Sequence, residues 1–241
     1  MPPSAWYAKG ARVLGRTAVE CTRDRLGDAI GRDVAAIATS GPPAVPASVV
    51  DLFAGSGNTL YWVLRHLPGA PGVGFESDAE VFRLTRHSLA ALAVPIDIRH
   101  TEYVSGLTGL SRAADELLVT FIAPPWGDAL DPMSGLDLRR TMPPIAEIVD
   151  VLFRRFPHNR LLCAVQVHEI VHPASLAEPY ARLDWSSLRA VVPSLCVSPP
   201  AFLRLAHVGT RGYSAERRPR VRDPGEERPS QPRPLESRPA F

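Results

Sequence analysis

Cysteine is scarce and scattered. Cys21, Cys163 and Cys196 lie far apart and none belongs to a C-x-x-C pair. That argues against a disulfide framework or a zinc site, and it fits a reduced, cytoplasmic setting. Long apolar runs are missing too. None reaches the roughly 18 residues of a membrane span, and the opening "MPPSAWYAKG" has no apolar stretch of the kind a secretory signal needs. Strong charge of one sign is also lacking. The net charge is +2 with a pI of about 8.6, so bulk attraction to a polyanion is not implied, although a local basic patch stays open. Lysine is nearly absent, since almost all of the 27 basic residues are arginine.

What is present is a chain long enough for one α/β domain with a full core: 241 residues, 45% apolar. Residues 10–38 recur apolar at three- and four-residue spacing and predict one or two amphipathic helices. "TSGPPAVPAS" then breaks the pattern, so residues 1–46 form a helical segment and linker ahead of the main domain. From there to about residue 210, "SVVDLFA", "GVGFES", "IDIRH", "LLVTFIA" and "LLCAVQV" predict buried strands. "NTLYWVLRHL", "DAEVFRLTRHSLAALA" and "PIAEIVDVLFRRF" predict the helices between them. Continuous apolar strands alternating with helices mean a Rossmann-like, doubly wound, mostly parallel sheet covered on both faces. "LRAVVPSLCVS" and "AFLRLAHVG", joined by two prolines with no room for a helix, predict a C-terminal antiparallel hairpin. Residues 211–241 are rich in Arg, Glu, Pro and Ser, cannot repay their ordering entropy, and predict a disordered tail.

In "VVDLFAGSGNT" a strand runs into a glycine turn and then a helix near Asn58. Gly55 and Gly57 permit positive φ and close approach of a ligand. The helix start offers free N–H groups. Asp51 stands at the end of the strand. Glu76, in "GFES", follows the glycines by about 20 residues, the spacing at which a carboxylate accepts the hydroxyls of an adenosine ribose. Glu102 ends the next run, "IDIRHTEY", where it could accept from an adenine amine. The dinucleotide pattern G-x-G-x-x-G fails at Leu60, and no lysine follows the glycines, so NAD and ATP are disfavoured.

"DLFAGSGNT", "GFES" and "APPW", in that order and at that spacing, resemble the class I S-adenosylmethionine-dependent methyltransferases, in particular those that methylate nitrogen on nucleobases. The resemblance covers residues 49–209. It implies S-adenosyl-L-methionine as cofactor, held by Asp51, Phe53, Gly55, Gly57, Asn58, Thr59, Glu76, Ser77 and Glu102. It also implies an acceptor site built by Ala123, Pro124, Pro125 and Trp126. Two prolines fix φ and stiffen the turn. A main-chain carbonyl there would receive the amine to be methylated, and Trp126 offers a flat face for a flat ring.

The longer stretch "APPWGDALDPMSGLDLRRTM" is similar to the trimethylguanosine synthase family, through Trp126, Leu136, Asp137, Leu138, Arg139 and Met142. That implies an exocyclic guanosine amine in RNA as acceptor. The chain departs from the family pattern at Ala123, where the family has serine, and at Asp128, where it has glycine. It departs again at "VHEIVHP", where His168, Glu169 and His172 replace a proline and an arginine. Asp128 is either a partner for a cationic substrate or a solvated turn residue. His168 and Glu169 are expected to be loop or packing residues rather than a general base, and Pro173 argues against a metal-binding helix over the two histidines. Arg12, Arg16, Arg23, Arg25 and Arg32 are available to phosphates or simply solvated. Two other readings remain: methylation of a small heteroaromatic metabolite, and a non-catalytic binding module on the same fold.

Overall fold

The computed structural model describes residues 8, 10–12, 21–40, 47–114, 116–191 and 203–208, and its account of side chains stops at residue 188. The linker, the tail and Cys196 lie outside these residues, as does most of the region ahead of residue 21. The middle strand of the main sheet is buried along its whole length. Leu117–Ile122 (β4) has no polar residue except Thr120, and all six residues are buried. A strand can be apolar throughout only if both faces of its sheet are covered.

That condition is met. Ala47–Asp51 (β1), Gly72–Glu76 (β2), Asp97–His100 (β3), β4 and, after the short Leu130–Asp131 (β5) and Gly135–Leu136 (β6), Arg160–His168 (β7) are followed by Ser186–Val191 (β8) and Leu203–Val208 (β9). The main sheet runs β3-β2-β1-β4-β7-β9-β8. Its first five strands are parallel, whereas β9 is antiparallel to both β7 and β8. The expected parallel sheet and its C-terminal antiparallel hairpin are both present.

Alternate strand residues point to opposite faces. Leu117, Val119 and Phe121 meet Asp24–Ala38 (α1), Asn58–His66 (α2) and Ala79–Ala91 (α3) through Ile30, Val34, Leu60, Val63 and Leu89. Leu118 and Ile122 meet Tyr103–Thr108 (α4) and Ile145–Arg155 (α5) through Leu107, Ile145, Ile148 and Leu152. Arg155 secures α4 from across the fold, donating to the carbonyls of Leu107, Thr108 and Leu110. Asp78 caps α3 by accepting from Glu80 N–H at 2.9 Å and Val81 N–H at 3.0 Å.

Of the helical region expected over residues 10–38, α1 is described. Residues 10–12 are not helical but cross to α3, where Arg12 N–H donates to Ser88 Oγ at 2.9 Å and Ser88 returns a bond to Arg12 carbonyl. α1 rests directly on α2 because two glycines leave room. At Gly31 a Cβ would lie 2.5 Å from the Trp62 carbonyl oxygen, and at Gly27 it would run into the Trp62 ring. Gly31→Leu is therefore expected to lower stability by about 2–3 kcal/mol through overpacking, measured as a shift in denaturant midpoint. Ala36→Leu, on the exposed side of the same helix, is expected to change it little.

Candidate active site

The chain leaves β1 in one direction for β2 and β3, then returns to the other side of β1 for β4 and β7. That reversal opens a crevice beyond the carboxyl ends of β1 and β4, the place where open parallel sheets bind ligands. Both singled-out turns, residues 52–57 and 123–126, leave the sheet there. Their roots are bonded together, because Asp51 is in register with Phe121 and Leu52 N–H donates to Phe121 carbonyl at 3.0 Å.

The glycine turn is held open by its neighbours. Gly55 has φ 50° and Gly57 φ 73°, backbone that a side chain rarely adopts. A Cβ at Gly55 would meet nothing closer than 4.0 Å, so it is conformation and not crowding that calls for glycine. Glu76 fixes the turn from β2. One carboxylate oxygen accepts Gly55 N–H at 3.0 Å and the other accepts Asp78 N–H at 2.8 Å. Thr85 Oγ1 donates to Gly55 carbonyl at 2.6 Å from α3. Gly57, in the left-handed region, starts α2 without a side-chain cap, so the first N–H groups of that helix are left for a ligand or water.

Asp51 is buried behind this turn, 1% exposed, and accepts Phe53 N–H at 3.1 Å. Burial pushes its carboxyl up from the ordinary 3.8 to about 7. The Phe53 N–H opposes that shift and the Glu76 carboxylate adds to it. The crevice thus holds two carboxylates with no cation beside them among the described residues, a setting suited to a positively charged ligand.

The second turn forms the opposite wall. Pro124 is buried, Pro125 exposed, Ala123 and Trp126 half-buried. Trp126 packs against the apolar clusters of both sheet faces, so its ring sits over the seam between them. Its carbonyl accepts Ala129 N–H at 2.8 Å, which starts a 3₁₀ turn over Gly127–Ala129, with Asp128 exposed. β5 and β6 follow as a small hairpin. Leu136 and Leu138 enter the core, and Leu136 bonds to Ile170 and His172 beyond β7. Asp137 takes a two-point ion pair from Arg139, at 2.9 and 2.6 Å, and that guanidinium holds its carboxyl down at about 2. Across the ledge, the His168 ring stands perpendicular to the Trp126 indole, centroids 6.0 Å apart.

Some expected residues are bonded or packed elsewhere. Asn58 is buried and its amide donates to Thr22 carbonyl, so it holds the segment ahead of α1. Thr59 is buried at the start of α2. Phe53 packs on Tyr103, ring centroids 5.4 Å apart. Ser77 is exposed and its carbonyl meets His100 Nε2 at 3.1 Å. Glu102 is exposed just past β3, at the start of α4. Arg32 is engaged with Asp28 at 2.7 Å, on its own helix. Several site neighbours gave little sign in the sequence: Thr85 and the His168 contact are purely tertiary. Thr22, which is 8% exposed and donates to Gln166 at 3.4 Å, joins the chain ahead of α1 to the end of β7. No group of three or more His, Cys, Asp or Glu among the described residues is placed to hold a metal ion, and no described helix is long and apolar enough to cross a membrane.

No protein-family model matches the chain, and no curated protein does. Solved structures do share its fold. A candidate RNA methyltransferase of Pyrococcus horikoshii is 10% identical with a TM-score of 0.50, over 85% of this chain and 96% of that one. The N-terminal domain of human METTL16 is 11% identical with a TM-score of 0.51, over 74% of this chain and 66% of that one. The tRNA (uracil-54, C5)-methyltransferase of Pyrococcus abyssi, solved with S-adenosyl-L-homocysteine, is 15% identical with a TM-score of 0.42, over 74% of this chain. The match spans only 36% of that enzyme's length. With its strand order and antiparallel β9, the chain has the class I methyltransferase fold.

Asp51 sets a pH dependence. Between the ordinary 3.8 and about 7, the folded chain keeps a proton that the unfolded chain has released. The stability from that proton is fully present below the lower value and is lost as pH rises through the upper one. Asp51→Asn is expected to flatten this slope, melting above the parent protein at pH 8 and close to it at pH 4. Parallel melting curves for the two proteins from pH 4 to 8 would contradict the assignment.

Proposed function

We propose that this chain is an S-adenosyl-L-methionine-dependent N-methyltransferase acting on a nucleobase-like ring in RNA. The observation that carries the proposal is that two turns leave neighbouring strands at the switch point of the sheet, with their roots bonded together. One is a glycine turn braced by the Glu76 carboxylate with Asp51 buried behind it, and the other is a proline-stiffened aromatic ledge, Pro124 to Trp126. The residues fit that cofactor: the turn leaves space at Gly55, Glu76 stands at the end of β2 for the ribose hydroxyls, and the buried carboxylate beside it suits a cation. When bound, the cofactor supplies a methyl group on a positively charged sulfur.

The chain's part is alignment and exclusion of water. Glu76 ties the glycine turn to β2, so the cofactor wall is set before any ligand arrives. Pro124 and Pro125 keep the ledge stiff, and the main-chain carbonyls of residues 123–125, which accept no bond among the described residues, can receive the amine of the acceptor. Ala123 cannot accept a hydrogen bond through its side chain, so that duty falls to the main chain. Trp126 fixes the plane of the ring. The resemblance to the trimethylguanosine synthases favours an exocyclic guanosine amine, and the candidate RNA methyltransferase of the same fold favours RNA.

The test is transfer of labelled methyl from S-adenosylmethionine into total RNA from the source cell. Label is expected in RNA. Trp126→Ala is expected to cut the rate about tenfold or more, since base–aromatic stacking contributes roughly 1–3 kcal/mol. Label in the small-molecule fraction alone would move the acceptor to a heteroaromatic metabolite. An unchanged rate for Trp126→Ala would remove the ledge from the account.

A further inference from the structure

His168 lies outside the turns that define the site, yet the fold delivers it there. β4 and β7 run parallel with Ile122 opposite Val165. Four residues beyond Ile122 comes Trp126, and three beyond Val165 comes His168, so both leave the same edge side by side. Their rings stand at 90° with centroids 6.0 Å apart. A flat ring lying parallel to the indole therefore has its plane perpendicular to the imidazole, an arrangement in which an in-plane N–H of the imidazole can be directed at the ring's edge.

The imidazole is held in one orientation and one protonation pattern by the main chain of Ile170. Its Nδ1 lies 3.2 Å from Ile170 N–H and 3.3 Å from Ile170 carbonyl. The carbonyl already accepts Leu136 N–H at 2.9 Å. The N–H has no other partner among the described residues, and an unpaired main-chain donor is costlier to leave than a carbonyl that already has one bond. In the neutral ring Nδ1 then accepts from Ile170 and the proton sits on Nε2. His168 thus presents a donor, not a base, beside the stacking face.

We propose that His168 is a specificity residue of the acceptor site, its Nε2–H donating to a ring-nitrogen or carbonyl lone pair next to the amine to be methylated. The acceptor it selects is an amidine-type amino-heterocycle, in which a heteroatom with a lone pair flanks the amine-bearing carbon. A simple aromatic amine, with carbon on both sides, lacks the partner. This rests on the proposed methyltransferase reading and narrows its substrate class.

The test uses the full chain saturated with S-adenosylhomocysteine and two fluorescent probes. One is 2-aminopurine riboside, which carries ring nitrogens beside its amine. The other is 2-naphthylamine, which does not. The parent protein is expected to quench the first saturably, and Trp126→Ala to lose that quenching. His168→Phe keeps a flat ring without the donor and is expected to weaken the riboside about fivefold, the scale of one neutral hydrogen bond, with 2-naphthylamine unchanged. His168→Gln restores an N–H donor and is expected to bind within about twofold of the parent. Binding of S-adenosylhomocysteine, measured separately, is expected to be equal in all the His168 variants, which also shows that they fold. If His168→Phe binds the riboside like the parent while Trp126→Ala does not, the role of His168 is overturned and the ledge stands. If His168→Phe weakens both probes alike, the contact is packing and the proposal fails. If the parent quenches neither probe, the acceptor site itself is wrong and the role of His168 falls with it.

Discussion

One carboxylate organises the candidate site. Glu76 sits at the end of β2 and accepts N–H groups from two different turns, Gly55 at 3.0 Å and Asp78 at 2.8 Å. The first bond holds the glycine turn in its left-handed geometry. The second holds the entry to α3, from which Thr85 reaches back to Gly55 carbonyl. A charged acceptor makes stronger hydrogen bonds than a neutral one, so the turn is braced before a ligand binds. Asp51, nearby, resists ionising chiefly because it is buried, and the Glu76 carboxylate adds to that. The crevice is thereby built with negative charge in reserve, and a bound cation would relieve it.

The ledge is rigid for a different reason. No ion pair holds residues 123–126. Two prolines restrict the backbone, and Trp126 fills the seam between the two apolar layers, touching both. Leu136 and Leu138, only a few residues later, anchor the hairpin that follows. Rigidity from packing on this wall and from hydrogen bonding on the other leaves the gap between them as the place where ligands adapt. Thr22 accepts from Asn58 and donates to Gln166, and so joins the start of α2 to the end of β7.

Much of this was legible in the sequence, for physical reasons that can be named. Runs that are apolar but for Thr120 at 117–122 and Gln166 at 161–167 suit a sheet covered on both faces, and with helices alternating between the strands the parallel architecture followed. The glycines and Glu76 were legible because conformation and spacing constrain them locally. The short elements were not. α4 spans six residues and includes a serine and a glycine, β5 and β6 have two residues each, and Pro173–Tyr180 is a helix containing a proline. Their stability comes from tertiary contacts, which periodicity does not record. For the same reason the bond from the Asn58 amide to Thr22 gave no sign in the sequence, and neither did Trp126 as the residue on which His168, expected to pack, does so.

The central claim is that the braced glycine turn and Glu76 together bind the adenosyl cofactor. Calorimetric titration of the parent protein and of Glu76→Gln with S-adenosylhomocysteine tests it most directly. The account predicts one site in the parent and binding at least tenfold weaker in Glu76→Gln, since a hydrogen bond to a charged group contributes roughly 1.5–3 kcal/mol. Equal affinity in the two proteins, or no binding by the parent, would contradict it.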